Sequence, residues 1–89
     1  MDAHTHKDEA LKRLAYIEGH LKGIRKMIEA DQCCVDILKQ TYAVKRAIDK
    51  LESLLLHNHL NSCVPTGMRE GREQDVIREL EELFELSQR

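Results

Sequence analysis

Residues 31–63 read DQCCVDILKQTYAVKRAIDKLESLLLHNHLNSC, and this run decides the fold. It holds neither Pro nor Gly from Cys33 to Val64. Through it Cys34, Ile37, Thr41, Val44, Ile48, Leu51, Leu55, Asn58 and Ser62 follow alternating steps of three and four. That spacing keeps one seam on one side of an α-helix for about four heptads. Pro65 and Gly67 are expected to end it. A helix of about 30 residues would be about 45 Å long. One small chain cannot cover a seam of that length, so the helix is expected to pair with a second copy.

Upstream, Leu11, Leu14, Ile17, Leu21, Ile24 and Ile28 recur at the same steps and predict a first amphipathic helix. Thr5 and Asp8 resemble a capping box at its start, leaving residues 1–6 as a short flexible arm. Gly19 and Gly23 would mark close helix contacts. Ala30, Asp31 and Gln32 read as a tight turn, with Asp31 the expected N-cap of the second helix. Downstream, a shorter helix is predicted from Arg69 or Glu73 to Ser87, with Val76, Ile77, Leu80, Leu83 and Phe84 inward. No period-two alternation suggests a strand. The expectation is one all-α domain over residues 1–89, a three-helix protomer ordered long, long, short.

Composition agrees. The 89 residues contain no Trp, one Phe and two Tyr, so aliphatic side chains must do the packing. A core this small is thin, and oligomerisation is a common remedy. The three cysteines are odd in number, and no leader-like start or apolar run long enough for a membrane precedes them. A reducing cytoplasm is the expected location, where thiols stay reduced or bind metal. Residues 1–50 carry ten Lys/Arg against eight Asp/Glu, and residues 51–89 carry four against eight. The N-terminal part is therefore the one suited to a polyanion.

Cys34, His59 and Cys63 lie on one side of the second helix. His59 and Cys63 are one turn apart, and both fall within roughly 20° of the direction of Cys34. Yet Cys34 and His59 are separated by about 37 Å along the helix. An antiparallel partner would bring Cys34 of one chain beside His59 and Cys63 of the other, with two sites per dimer. Two thiolates and an imidazole suit Cu(I), with Zn(II) next. The residues alone leave a second reading equally open, in which both cysteines simply pack on the seam. Cys33 points about 100° away from Cys34 on a helix and reads as a core cysteine. His57 and His20 read as surface or packing residues. His4 and His6 on the arm could complete a Ni(II) or Co(II) site, although a solvated tail fits them better.

Lys39, Arg46 and Lys50 oppose the second seam, and Lys12, Lys22 and Lys26 oppose the first. Outward basic stripes on a symmetric oligomer could follow DNA phosphates, as an ordinary solvated face also would be charged. No P-loop, dinucleotide fingerprint, zincin helix or nucleophile elbow is present, so an enzyme is not expected.

With these motifs quoted, the chain resembles the CsoR/RcnR-type metal-responsive repressors. The likeness rests on Cys34 in Cys-Val-Asp-Ile-Leu, on His59 and Cys63 in His-Leu-Asn-Ser-Cys, and on the preceding RLAYIEGHLKGIRKMIE. It extends from about Leu11 to Leu86. The resemblance implies an antiparallel helical-bundle dimer assembled into a dimer of dimers, whose apo homotetramer binds operator DNA. It also implies a subunit-bridging metal site that lowers DNA affinity when filled and releases efflux genes. The Cys–His–Cys set is that of the copper-sensing operon repressor branch. Glu79 matches a carboxylate near the ligand histidine, and Arg13 an arginine implicated in DNA contact. The resemblance extends the same role to Lys45, Arg46 and Lys50. Cys33 stands where several copper-sensing members have a tyrosine, so it would take that residue's place beside the ligands. Nickel, cobalt and persulfide sensing are alternatives within the family, and a structural helical oligomer with inert cysteines is the alternative outside it. The retained His59 argues against the persulfide branch.

Overall fold

The computed structural model describes residues 4–89, with side chains from Lys7 onward. Four α-helices follow one another: α1 (His4–Glu29), α2 (Cys34–Asn58), α3 (Val64–Arg69) and α4 (Glu73–Ser87). A π-helical turn, His59–Cys63, joins α2 to α3 without a break, so a single rod runs from Cys34 to Arg69. The order long, long, short therefore holds among the described residues, and no strand is present there.

Helix α1 opens at His4, inside the six residues expected to form an arm. The Thr5 side chain of the expected capping box lies outside the described residues. At the other end the chain turns on Asp31, not as the N-cap of α2 but in the left-handed region at φ 54°. Asp31 N–H donates to Ile28 O at 3.1 Å and Gln32 N–H to Met27 O at 3.0 Å. This paired closure satisfies the last carbonyls of α1, and Asp is one of the few non-glycine residues that tolerate the conformation. The N-cap position of α2 falls to Cys33 instead.

The rod outlasts Pro65, which was expected to end it. Pro65 sits in the first turn of α3, where its missing N–H costs little. In a regular helix its ring would strike the carbonyl of Asn61. The chain widens just before it: Val64 N–H donates to His59 O, five residues back. Two side chains cover carbonyls in this widened turn. Asn61 Nδ2 donates to His57 O and Ser62 Oγ to Asn58 O, both at 2.7 Å. Gly71, at φ 78°, then closes α3, with Arg72 N–H donating to Gly67 O at 2.8 Å.

Helices α1 and α2 form an antiparallel hairpin around Ile17, Ile24 and Val44, flanked by Ile37, Ala47 and Leu51. Each such aliphatic side chain contributes about 1.5–3 kcal/mol when fully buried. Few are. The Cα envelope measures 55 × 31 × 14 Å, a plate with little depth. Leu11, Leu14, Leu21 and Ile28, expected in the first seam, remain exposed. On α4 only Val76 is buried, and Leu80 is half-buried, whereas Ile77, Leu83 and Phe84, expected inward, are exposed. Periodicity reports an apolar face but not whether its neighbour is the same chain. Gly19 and Gly23, expected at close contacts, have open space where a Cβ would stand.

Candidate metal centre

Cys34 is the first residue of α2 and is exposed. Cys33 precedes it at φ −55° and ψ 131°, outside the helix, with no side-chain cap bond. The helical offset of about 100° from Cys34 therefore does not apply to it. Cys33 is exposed rather than in the core.

His59 and Cys63 are the first and last residues of the π turn, and both are half-buried. The helix widening keeps them one turn apart. The Ser62 hydroxyl, which donates its proton to Asn58 O, lies 3.9 Å from Cys63 Sγ. His59 looks into a groove of about 890 Å³ between α2 and α4. Leu55, Leu56, Leu83 and Leu86 form its apolar walls, with Glu52 and Ser87 at the rim. Leu83 and Leu86 of α4 line the same groove as His59, whereas Glu79 does not. Glu79 is exposed, and its charge instead helps push the Arg72 guanidinium pKa up, behind the larger effect of Glu70. Glu70 Oε1 accepts from Arg72 Nη2 at 2.7 Å and from Nε at 3.2 Å.

One chain thus places His59 and Cys63 at one end of α2 and Cys34 at the other, about 37 Å away. Among the described residues no three His, Cys, Asp or Glu side chains converge as metal donors. The side chains of His4 and His6 lie outside the described residues. Within one chain, therefore, Cys34 does not reach the end of the rod that carries His59 and Cys63.

The basic residues separate into two groups. Arg13, Arg46 and Lys50 line one cleft between α1 and α2, floored by Ala43 and Ala47 and walled by Tyr16. Next to it, Arg13 and Lys50 also border a recess with Asp49, Ser53 and His57. Arg13 Nε is held by Glu9 at 3.1 Å. Lys45 lies elsewhere, its Nζ 5.3 Å from the centre of the Tyr42 ring. Tyr16 and His57 were missed as members of this surface. The three-residue step from Arg13 to Tyr16 on α1 was the signal available for the first. His20, expected only at the surface or in packing, is half-buried and bonds across the hairpin, its Nε2 lying 2.7 Å from Gln40 Oε1.

No described helix is long and apolar enough to cross a membrane. Comparison with known proteins gives a consistent picture. The chain is 43% identical over 74 residues to the copper-sensing transcriptional repressor CsoR of Mycobacterium tuberculosis H37Rv, covering 83% of this chain and 62% of that one. It therefore spans less than two thirds of the mycobacterial relative's length. The CsoR of Bacillus subtilis 168 is 40% identical over 78 residues, 88% of this chain and 77% of the relative. The crystal structure of Cu(I)-bound CsoR from Geobacillus thermodenitrificans superposes with a TM-score of 0.92 at 32% identity, covering 100% of this chain and 93% of that one. The nickel-responsive regulator InrS gives 0.72 at 32% identity, with 88% of each chain covered. Residues 6–88 match the family of metal-sensitive transcriptional repressors, and the chain belongs to that family.

Proposed function

We propose that this chain is a copper(I)-responsive transcriptional repressor that works in the cytoplasm, with residues 1–89 acting as one metal-sensing and DNA-binding unit. The observation that carries the reading is the division of a Cys–His–Cys donor set between the two ends of α2. Cys34, His59 and Cys63 would hold the ion across an antiparallel dimer, two thiolates and one imidazole fitting a soft monovalent cation better than Ni(II), Co(II) or Zn(II). The exposed apolar faces of all three long segments supply what a homodimer and then a homotetramer would bury. Cys33, next to Cys34, would stand beside the ligands, and Glu79, which does not line the His59 groove within one chain, would orient them only in the assembled dimer.

Operator DNA would be held by Arg13, Arg46 and Lys50 in the α1–α2 cleft, with Lys45 a more distant contributor. The reading is not enzymatic: the family is one of repressors. Regulation follows from linkage. If the metal-loaded assembly binds DNA weakly, DNA must weaken metal binding by the same factor, and the efflux or homeostasis genes are released when copper rises.

The likeness to InrS favours a second reading, nickel response with the same architecture. One experiment separates them. The reduced chain is titrated onto its operator duplex and followed by fluorescence anisotropy, alone, with one Cu(I) per chain, and with Ni(II). Release by Cu(I) only supports the copper reading, release by Ni(II) only supports the second, and binding indifferent to both removes metal as the signal.

A further inference from the structure

The α1–α2 cleft joins three cations to one aromatic hydroxyl. Arg13 and Tyr16 come from successive turns of α1, Arg46 and Lys50 from successive turns of α2. Tyr16 is 66% exposed, the posture of a side chain without a core role. Its ring is nevertheless braced. The Tyr16 and His20 ring centroids are 5.9 Å apart at an interplanar angle of 79°, an edge-to-face contact. His20 Nε2 in turn lies 2.7 Å from Gln40 Oε1 on α2. The bond crosses from one helix to the other and ties the brace to both walls of the cleft.

No carboxylate lines this cleft. Glu9 is engaged by Arg13 from outside, and Asp49 borders the neighbouring recess. Tyr16 lines a cleft whose other polar side chains are cations, and none of these can accept a hydrogen bond. Its O–H suits an oxygen brought in by a polyanion. Tyrosine is among the side chains that donate to DNA phosphates and fix the register of a protein on the duplex.

We propose that Tyr16 is a DNA-backbone contact, its hydroxyl donating to a phosphate drawn in by Arg13, Arg46 and Lys50, with His20 and Gln40 as positioning residues that hold the ring. This deepens the operator reading of the same cleft and rests on it. A neutral donor leaves a signature that a cation does not. Phosphate neutralisation by Lys or Arg releases counterions and steepens the salt dependence of binding, whereas a hydroxyl adds affinity without changing that slope.

The test uses the full, reduced, metal-free chain and two labelled duplexes, one carrying the promoter of its own gene and one unrelated of equal length. Anisotropy titrations are run across a salt series. Tyr16→Phe keeps the ring and is expected to weaken binding to both duplexes about tenfold, with the salt slope unchanged. His20→Ala is expected to weaken both in the same sense by about threefold, with Cu(I) affinity unaltered. Lys50→Ala is expected to weaken binding and lower the slope by about one. Native binding by Tyr16→Phe beside a weakened Lys50→Ala overturns the role of Tyr16 alone. Native binding by Arg13→Ala, Arg46→Ala and Lys50→Ala together overturns the operator reading of the cleft. A Tyr16→Phe chain with an altered oligomeric state would also overturn the proposal, since it would assign the hydroxyl to assembly.

Discussion

Gly67 and Val76 hold α3 against α4 at a distance that admits no side chain between them. A Cβ built on Gly67 would lie 2.5 Å from Val76 Cγ2. Val76 is the one buried hydrophobic side chain of α4. Gly67→Ala must therefore push the helices apart or turn Val76 off its rotamer. Overpacking of this kind costs about 1–3 kcal/mol, more than the better helix propensity of Ala returns. Thermal unfolding should show the lower midpoint. Because α4 forms one wall of the His59 groove, the same variant should bind metal less tightly while its metal-free DNA affinity changes little.

Two positive-φ positions call for opposite substitutions. Asp31 closes α1 at φ 54° and Gly71 closes α3 at φ 78°. Asp31→Gly relieves a conformation that disfavours a Cβ and should raise stability by about 0.5–1 kcal/mol. Gly71→Ala imposes the same penalty and should lower it by about 1 kcal/mol. Denaturation midpoints of the pair, measured side by side, check the signs.

Removing a ligand should separate sensing from binding. Cys34→Ala and His59→Ala each delete a donor that does not line the α1–α2 cleft. Both are expected to hold DNA as the parent chain does and to stay on it when Cu(I) is added. Anisotropy with and without the ion reads this directly. Variants that lose DNA binding as well would count against a separate sensing site.

A site shared between subunits permits complementation. Cys34→Ala and a His59→Ala/Cys63→Ala chain should each fail to bind Cu(I). After the two are unfolded and refolded together, each mixed antiparallel dimer regains one intact site. About a quarter of the parent binding capacity should return. An intrachain site would return none.

The cations should rank by location. Arg46→Ala and Lys50→Ala remove charges lining the cleft and should each reduce both affinity and the salt slope. Lys45→Ala removes a charge stacked on Tyr42 and should cost less. Salt titrations of the three variants test the ranking.

The helices were legible because Ile17, Ile24 and Val44 repeat with the period of a buried stripe, and all three are buried. Glu73 and Ser87 bound α4 as the pattern expected. Pro65 misled because a single residue type was read as a stop, while the widened turn ahead of it depends on Asn61 and Ser62 covering backbone carbonyls. Asp31 misled because the same side chain serves as a cap and as a left-handed closure, and only the backbone angle tells them apart. Phe84 and Leu83 misled because periodicity is blind to which molecule supplies the opposing surface. In the candidate site, helical geometry offered a shared direction for Cys34, His59 and Cys63 only as an expectation, and the π turn from His59 to Cys63 departs from that geometry; the presence of Leu83 and Leu86 in the groove that His59 lines could not be read, since it depends on where α4 lies.

The thinness of the plate reaches beyond packing. With no side chain fully buried among the described residues of one chain, the folded form and the assembled form are close to the same thermodynamic state. Its melting temperature should then climb with total protein, as mass action requires of a fold completed by its copies. Dilution would dismantle the metal sites and the DNA-binding surface in one step. The copper threshold of such a regulator would depend on its own copy number, so a cell could retune the response by changing how much of the protein it makes.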